Sequence, residues 1–145
     1  MSRELDAQVA EKVMGWRGRF RFRKLKHEGE WMTAFREAPD AGVGNFNRWY
    51  KEDGTKLYCG RPHYVHVVPR YSTDMRAAWE VVEKMDSLDY GMELHYGHFD
   101  ETGTLGANVE FSTPDGEPAV EDGEGFFTCP TAPEAICRAA LAVFA

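Results

Sequence analysis

No stretch of this chain approaches the roughly 20 consecutive apolar residues that a membrane-spanning helix requires. The first residues, MSRELDAQVAEKVMGW, are helical in pattern and mixed in polarity, without the continuous apolar run of a secretory signal. A cytosolic location is the expectation that follows. Cysteine is scarce: Cys59, Cys129 and Cys137 are odd in number and far apart, which fits reduced thiols better than a disulfide framework. The usual catalytic signatures are missing too, with no GxSxG elbow, no P-loop, no GxGxxG after a strand and no HExxH. Internal repeats and low-complexity linkers are likewise absent.

What is present is an ordinary globular composition. The 145 residues are 43% hydrophobic and 13% aromatic, enough for one core, so a single domain spanning 1–145 is expected. A net charge of −7 argues against binding to extended nucleic acid, which depends on neutralising many phosphates. The charge is unevenly spread, however. Six of the 17 basic residues fall within ten positions, from Arg17 to Lys26, whereas the stretch 114–125 holds five acids and no base.

Leu5, Val9 and Val13 recur at intervals of four beside Met14, predicting a first helix over 5–14 that Gly15 ends in a left-handed conformation. GRFRFRKL alternates strictly, placing Phe20 and Phe22 on one side of a strand and Arg19, Arg21 and Arg23 on the other. Residues 40–47 have a loop composition, and Asp53-Gly54 between two strand-like runs predicts a tight hairpin. HYVHVVP predicts a short strand closed by Pro69. A second helix follows, with Met75, Ala78, Trp79, Val82 and Met85 as its apolar stripe, Ser72 or Thr73 as N-cap and Asp74 set against the dipole. Alternation over 90–96 and 105–111, with DETG between, predicts a further hairpin. Phe126 to Cys129 form a last strand, and Thr131 with Glu134 stand in capping-box spacing before a third helix, Pro133 lying in its first turn. Hairpins joined to amphipathic helices give an α+β fold: a largely antiparallel sheet covered by about three helices in an α-β-α layered sandwich.

Three segments carry a resemblance: VAEKVMGW near the start, PRYSTDMRAAWEVVEKM in the middle and TAPEAICRAALAVF at the end. Their order and wording resemble the small phage and prophage proteins of the phage ABA sandwich domain family. The resemblance implies an α-β-α sandwich and a phage or prophage gene expressed in a bacterial cytosol. It brings no established catalytic residue. The chain departs from the pattern mainly over 18–61, which is longer and more basic, and where functions particular to this protein would reside.

Two anion sites are candidates. One is the start of the second helix, where free N–H groups and the helix dipole would meet a phosphate beside Arg70, Tyr71, Ser72 and Thr73; against it, Ser72 or Thr73 would simply cap the helix and Tyr71 fill the core edge. The other is the row Arg19, Arg21, Arg23, about 7 Å apart along a strand and bearing forked donors suited to phosphate; against it, a basic face also protects a strand edge from aggregation. Cys59, His63 and His66, and again Glu93, His95, His98 and Asp100, cluster in sequence, but neither set has a zinc-site spacing, and no metal or cofactor is expected. Cys137, among Ile136, Ala140, Leu141 and Phe144, reads as a buried apolar residue.

The functional expectation is a nonenzymatic phage accessory protein binding a small anionic, nucleotide-like ligand, in one version sequestering a nucleotide signal of antiphage immunity. The alternative is an interaction module that oligomerises with itself or docks on a host or phage protein through aromatics such as Trp31, Trp49 and Tyr50. A nucleotide hydrolase using His63, His66, His95 or His98 has no motif behind it.

Overall fold

The structure, a computed structural model, describes residues 2–23, 30–37, 44–45, 50–51, 64–98, 105–120 and 127–144. In chain order the elements are α1 (Ser2–Lys12), β1 (Arg17–Arg23), β2 (Met32–Glu37), β3 (Gly44–Asn45), β4 (Tyr50–Lys51), β5 (Tyr64–Val67), α2 (Met75–Ser87), β6 (Gly91–His98), β7 (Leu105–Ser112), β8 (Phe127–Cys129) and α3 (Ala132–Val143). They form two compact units: Met1–Met14 joined with Pro69–Ala145, and the intervening Gly15–Val68. Helices and antiparallel sheets are both present, as an α+β fold requires.

The unit made from the two ends of the chain holds all three helices and the antiparallel sheet β6-β7-β8. Its middle strand shows why it is central: Ala107, Val109 and Phe111 are buried, and their cross-strand partners on β6 are Tyr96, Leu94 and Met92. The expected hairpin of 90–96 with 105–111 is therefore formed; its DETG turn lies outside the described residues. Helix α3 packs on β7 and β8 and is touched by α1 and α2. Its buried residues, Pro133, Ala135, Ile136, Cys137, Ala139 and Ala140, are mostly small, which lets neighbouring backbones come close. Leu5, Val9 and Val13 of the first helical stripe are buried as expected, and Gly15 has φ +78, the left-handed geometry anticipated for it.

Helix α2 departs from expectation in two ways. Its N-cap is Asp74, not Ser72 or Thr73; the Asp74 carboxylate accepts the Arg76 N–H at 2.9 Å. Ala78 and Met85 of the expected stripe are buried, but their buried companions are Ala77 and Val81, so the core-facing stripe is rotated and Met75 and Trp79 face solvent, Trp79 with half its surface exposed. The helix ends in a Schellman motif. Asp89 adopts φ +67, its N–H bonds Asp86 O at 2.9 Å, and the Tyr90 N–H bonds Met85 O at 2.9 Å. Thr131 does occupy the N-cap of α3, with proline in the first turn, but its hydroxyl makes no capping bond. Glu134 instead lies 3.7 Å from Arg138.

The inserted unit, Gly15–Val68, is an antiparallel sheet in the order β3-β5-β2-β1-β4. Strand β1 is the one expected from GRFRFRKL, and HYVHVVP supplies β5. Gly44 and Asn45, within the stretch expected as loop, pair with Val65 and Tyr64. Of the Asp53-Gly54 hairpin only Tyr50 and Lys51 are described; they pair with β1, and the turn itself lies outside the described residues. The buried Trp16 and Phe35 rings meet edge to face, with centroids 5.6 Å apart, at the heart of this unit.

Candidate anion-binding site

The register of β1 on β2 decides what surrounds the arginine row. Arg19 lies opposite Phe35, Arg21 opposite Thr33 and Phe22 opposite Met32, so Arg23 is level with Trp31. Directly opposed residues in an antiparallel pair share a face. The arginine side of the sheet therefore carries Trp31, Thr33 and Phe35 as well, and Phe35 is fully buried. A simple division into an apolar Phe face and a solvated Arg face does not hold. Phe20 is only half-buried, and the Phe22 side chain lies outside the described residues.

Two guanidinium groups converge on one indole. The Arg23 carbon Cζ lies 4.3 Å from the Trp31 ring centroid and that of Arg21 lies 5.4 Å away. Stacking of this kind is attractive through the ring quadrupole and restrains each planar fork. Arg19 and Arg21 are exposed, while Arg23 and Trp31 are half-buried. The result is a ledge with a flat aromatic surface and several N–H donors. Of the aromatics expected to dock on a partner, Trp49 and the Tyr50 side chain lie outside the described residues; Trp31 is half-buried with its ring engaged by the arginines, a relationship visible in sequence only by matching Trp31-x-Thr33-x-Phe35 against the arginine spacing.

The second candidate fares differently. Arg70 and Thr73 are exposed, but Tyr71 and Ser72 are buried. The Ser72 N–H donates to Asp6 Oδ1 at 2.7 Å, and the N–H groups of Thr73 and Asp74 donate to Arg70 O at 3.2 and 2.8 Å. Asp74 then places its own carboxylate where an incoming phosphate would sit. The helix start thus supplies its own anion, and Tyr71 and Ser72 serve packing. Burial, and next the charge of Glu80, push the Tyr71 phenol above its ordinary range, so it stays protonated. The candidate residues also divide between units: Arg19, Arg21 and Arg23 in the insert, Arg70 to Thr73 in the other.

A residue that sequence reading passed over anchors this turn. Asp6 is fully buried on α1, takes Arg3 on Oδ2 at 2.8 Å and the Ser72 N–H on Oδ1; Arg3 also reaches Pro69 O at 3.2 Å. Only Arg3 is local to it; the Ser72 N–H that occupies its other oxygen lies 66 positions away.

The described thiols are poorly placed for nucleophilic work. Cys129 and Cys137 are buried. Desolvation, then a hydrogen bond with Glu134, pushes Cys129 up to about 11. Desolvation followed by the charge of Asp6 raises Cys137 as well. Among the described residues no group of three histidines, cysteines or acids converges as metal ligands. Of the two sets weighed from sequence, Glu93 and His95 are exposed on β6; Cys59, His63 and Asp100, and the side chains of His66 and His98, lie outside the described residues. No described helix is long and apolar enough to cross a membrane.

Comparison with known proteins agrees with the fold. No curated protein matches the chain. A phage protein from Bacillus cereus ATCC 14579, solved by crystallography at 2.0 Å, superposes with a TM-score of 0.51 at 22% identity, covering 99% of this chain and 91% of that one. The phage ABA sandwich domain matches residues 7–141, a span that takes in β1 to β8, the core of α3 and the buried turn at Ser72. With three helices, antiparallel sheets and a match over nearly its whole length, the chain belongs to the phage ABA sandwich domain family.

Proposed function

We propose that this chain is a nonenzymatic phage accessory protein that works in the bacterial cytosol as one domain and holds a small anionic, nucleotide-like ligand on the ledge of Arg19, Arg21, Arg23 and Trp31. The observation that carries this reading is the convergence of the Arg21 and Arg23 guanidiniums on the Trp31 ring, at 5.4 and 4.3 Å. An aromatic plane beside forked donors matches a base joined to a phosphate. Its place in a phage family favours sequestration of a nucleotide signal used in antiphage immunity, an argument by analogy. Native mass spectrometry and thermal-shift measurements with cyclic and linear nucleotides, and with inorganic phosphate alone, test it. A bound nucleotide at 100 times its Kd stabilises by about 2.7 kcal/mol, and Arg21→Ala is expected to abolish the shift. Absence of both co-purified ligand and stabilisation overturns the reading.

One observation favours a second reading, a protein-docking module. Met75 and Trp79, one helical turn apart on α2, are both exposed, an arrangement suited to meeting a partner surface. Trp79→Ala would then eliminate capture of a host or phage protein while leaving nucleotide binding intact.

A further inference from the structure

We infer that β6 is a self-complementary edge through which two copies of the chain join into one continuous sheet. Among the described residues β6 has a partner on one side only, β7. It runs for 8 residues in unbroken register, without the proline or lysine that commonly guards an edge. Gly91, Glu93, His95 and Tyr96 on it are exposed, Tyr96 to 60%.

The occupant follows from the order of residues, Gly91-Met92-Glu93-Leu94-His95-Tyr96-Gly97. Antiparallel pairing of this strand with itself about Leu94 sets Leu94 against Leu94 of the second copy, Met92 against Tyr96, Glu93 against His95 and Gly91 against Gly97. Apolar residues meet apolar ones, and each carboxylate meets an imidazole N–H donor. Moving the pairing by two residues in either sense sets Glu93 against Glu93 or His95 against His95. A shift of one residue puts the row Met92, Leu94, Tyr96 on the wrong face. The register about Leu94 is therefore singled out by charge as well as by polarity.

The sheet itself adds an argument. Glu93 stands directly opposite Glu110 of β7, a like-charge pair that weakens a ladder. His95 of a second copy, on the open side of Glu93, would offset that repulsion. The row Met92, Leu94, Tyr96, continuing the buried Phe111, Val109 and Ala107 of β7, would extend across the joint. The interface is isologous and closes after two copies.

This inference is independent of the anion reading, since no residue is shared between the two sites. Analytical ultracentrifugation of the full chain tests it. The unmodified protein is expected to sediment as a dimer at micromolar concentration. Glu93→Lys removes the carboxylate that accepts from the imidazole and His95→Glu sets carboxylate against carboxylate twice per dimer, so each should weaken association by about tenfold. The double variant Glu93→Lys/His95→Glu sets each lysine against a glutamate and should restore it. Both side chains are exposed, so unchanged circular dichroism and thermal midpoints serve as the folding control. A chain that stays monomeric throughout, or a dimer indifferent to the single reversals, overturns the inference.

Discussion

Asp6 and Ser72, 66 positions apart, meet through a 2.7 Å bond from the Ser72 backbone N–H to a carboxylate with no exposed surface. The contact fastens α1 to the turn that launches α2, and Arg3 neutralises the buried charge from its part-exposed side. Asp6→Ala leaves the Ser72 N–H buried without this acceptor and is expected to cost about 3 kcal/mol. Asp6→Asn keeps an oxygen acceptor and should cost about 1 kcal/mol. Urea unfolding of the two variants checks the ranking; equal losses would remove the hydrogen bond from the account.

The ends of α2 separate two other effects. Asp74→Ala removes the side chain that caps Arg76 N and should cost about 1 kcal/mol, whereas Thr73→Ala, at an exposed site off the cap, should change stability by less than about 0.5 kcal/mol. At the other end Asp89 holds φ +67, where a Cβ is unfavourable. Asp89→Gly should therefore stabilise by about 0.5–1 kcal/mol. Thermal midpoints of the three variants read all three outcomes.

At Gly106 the backbone of β8 lies close against β7. A Cβ there would lie 2.8 Å from Cys129 O, a backbone atom that yields only if the strand moves. Gly106→Ala is expected to destabilise by about 1–3 kcal/mol. Gly91→Ala meets nothing within 4 Å and should be neutral or slightly stabilising, through a less flexible unfolded chain. Denaturant midpoints distinguish the pair.

Alkaline pH should unfold the protein through three buried groups. Cys129, Cys137 and Tyr71 keep their protons longer in the folded chain than in the unfolded one, in each case mainly because burial disfavours the anion. An unfolded thiol ionises from about pH 9.0, and folded Cys129 only near 11. The Cys129 contribution is complete below pH 9.0 and is lost as the pH climbs to about 11; the losses at Cys137 and Tyr71 begin from 9.0 and 10.0, each at most about 1.4 kcal/mol per pH unit. Melting curves from pH 7.5 upward should fall steadily above about 9, and Cys137→Ala should make the decline shallower even though its midpoint at neutral pH is lower.

Secondary structure was largely legible because alternation and helical spacing are local signals. The hairpin of β6 and β7 could be read from Met92-x-Leu94 and Ala107-x-Val109-x-Phe111 alone. The buried side of α2 could not, since Met75 and Trp79 outweigh Ala77 and Val81 in hydrophobicity while close packing against α3 favours the smaller side chains. The candidate site was half legible. The arginine row is plain in sequence, but its meeting with Trp31 depends on the register of a second strand, and Asp6 depends on a contact made 66 positions away.

The split of one unit between the two ends of the chain sets an order of events during synthesis. α1 leaves the ribosome first, yet the Ser72 N–H that receives Asp6 follows 66 residues later, on the order of 3 to 13 seconds at about 5–20 residues per second. Throughout that interval, and until α3 follows, Leu5, Val9 and Val13 have no partner helix to pack against, while the inserted unit Gly15–Val68 is already complete in sequence. The newborn chain thus has its middle ready before its beginning, and the first helix waits for the last one to arrive.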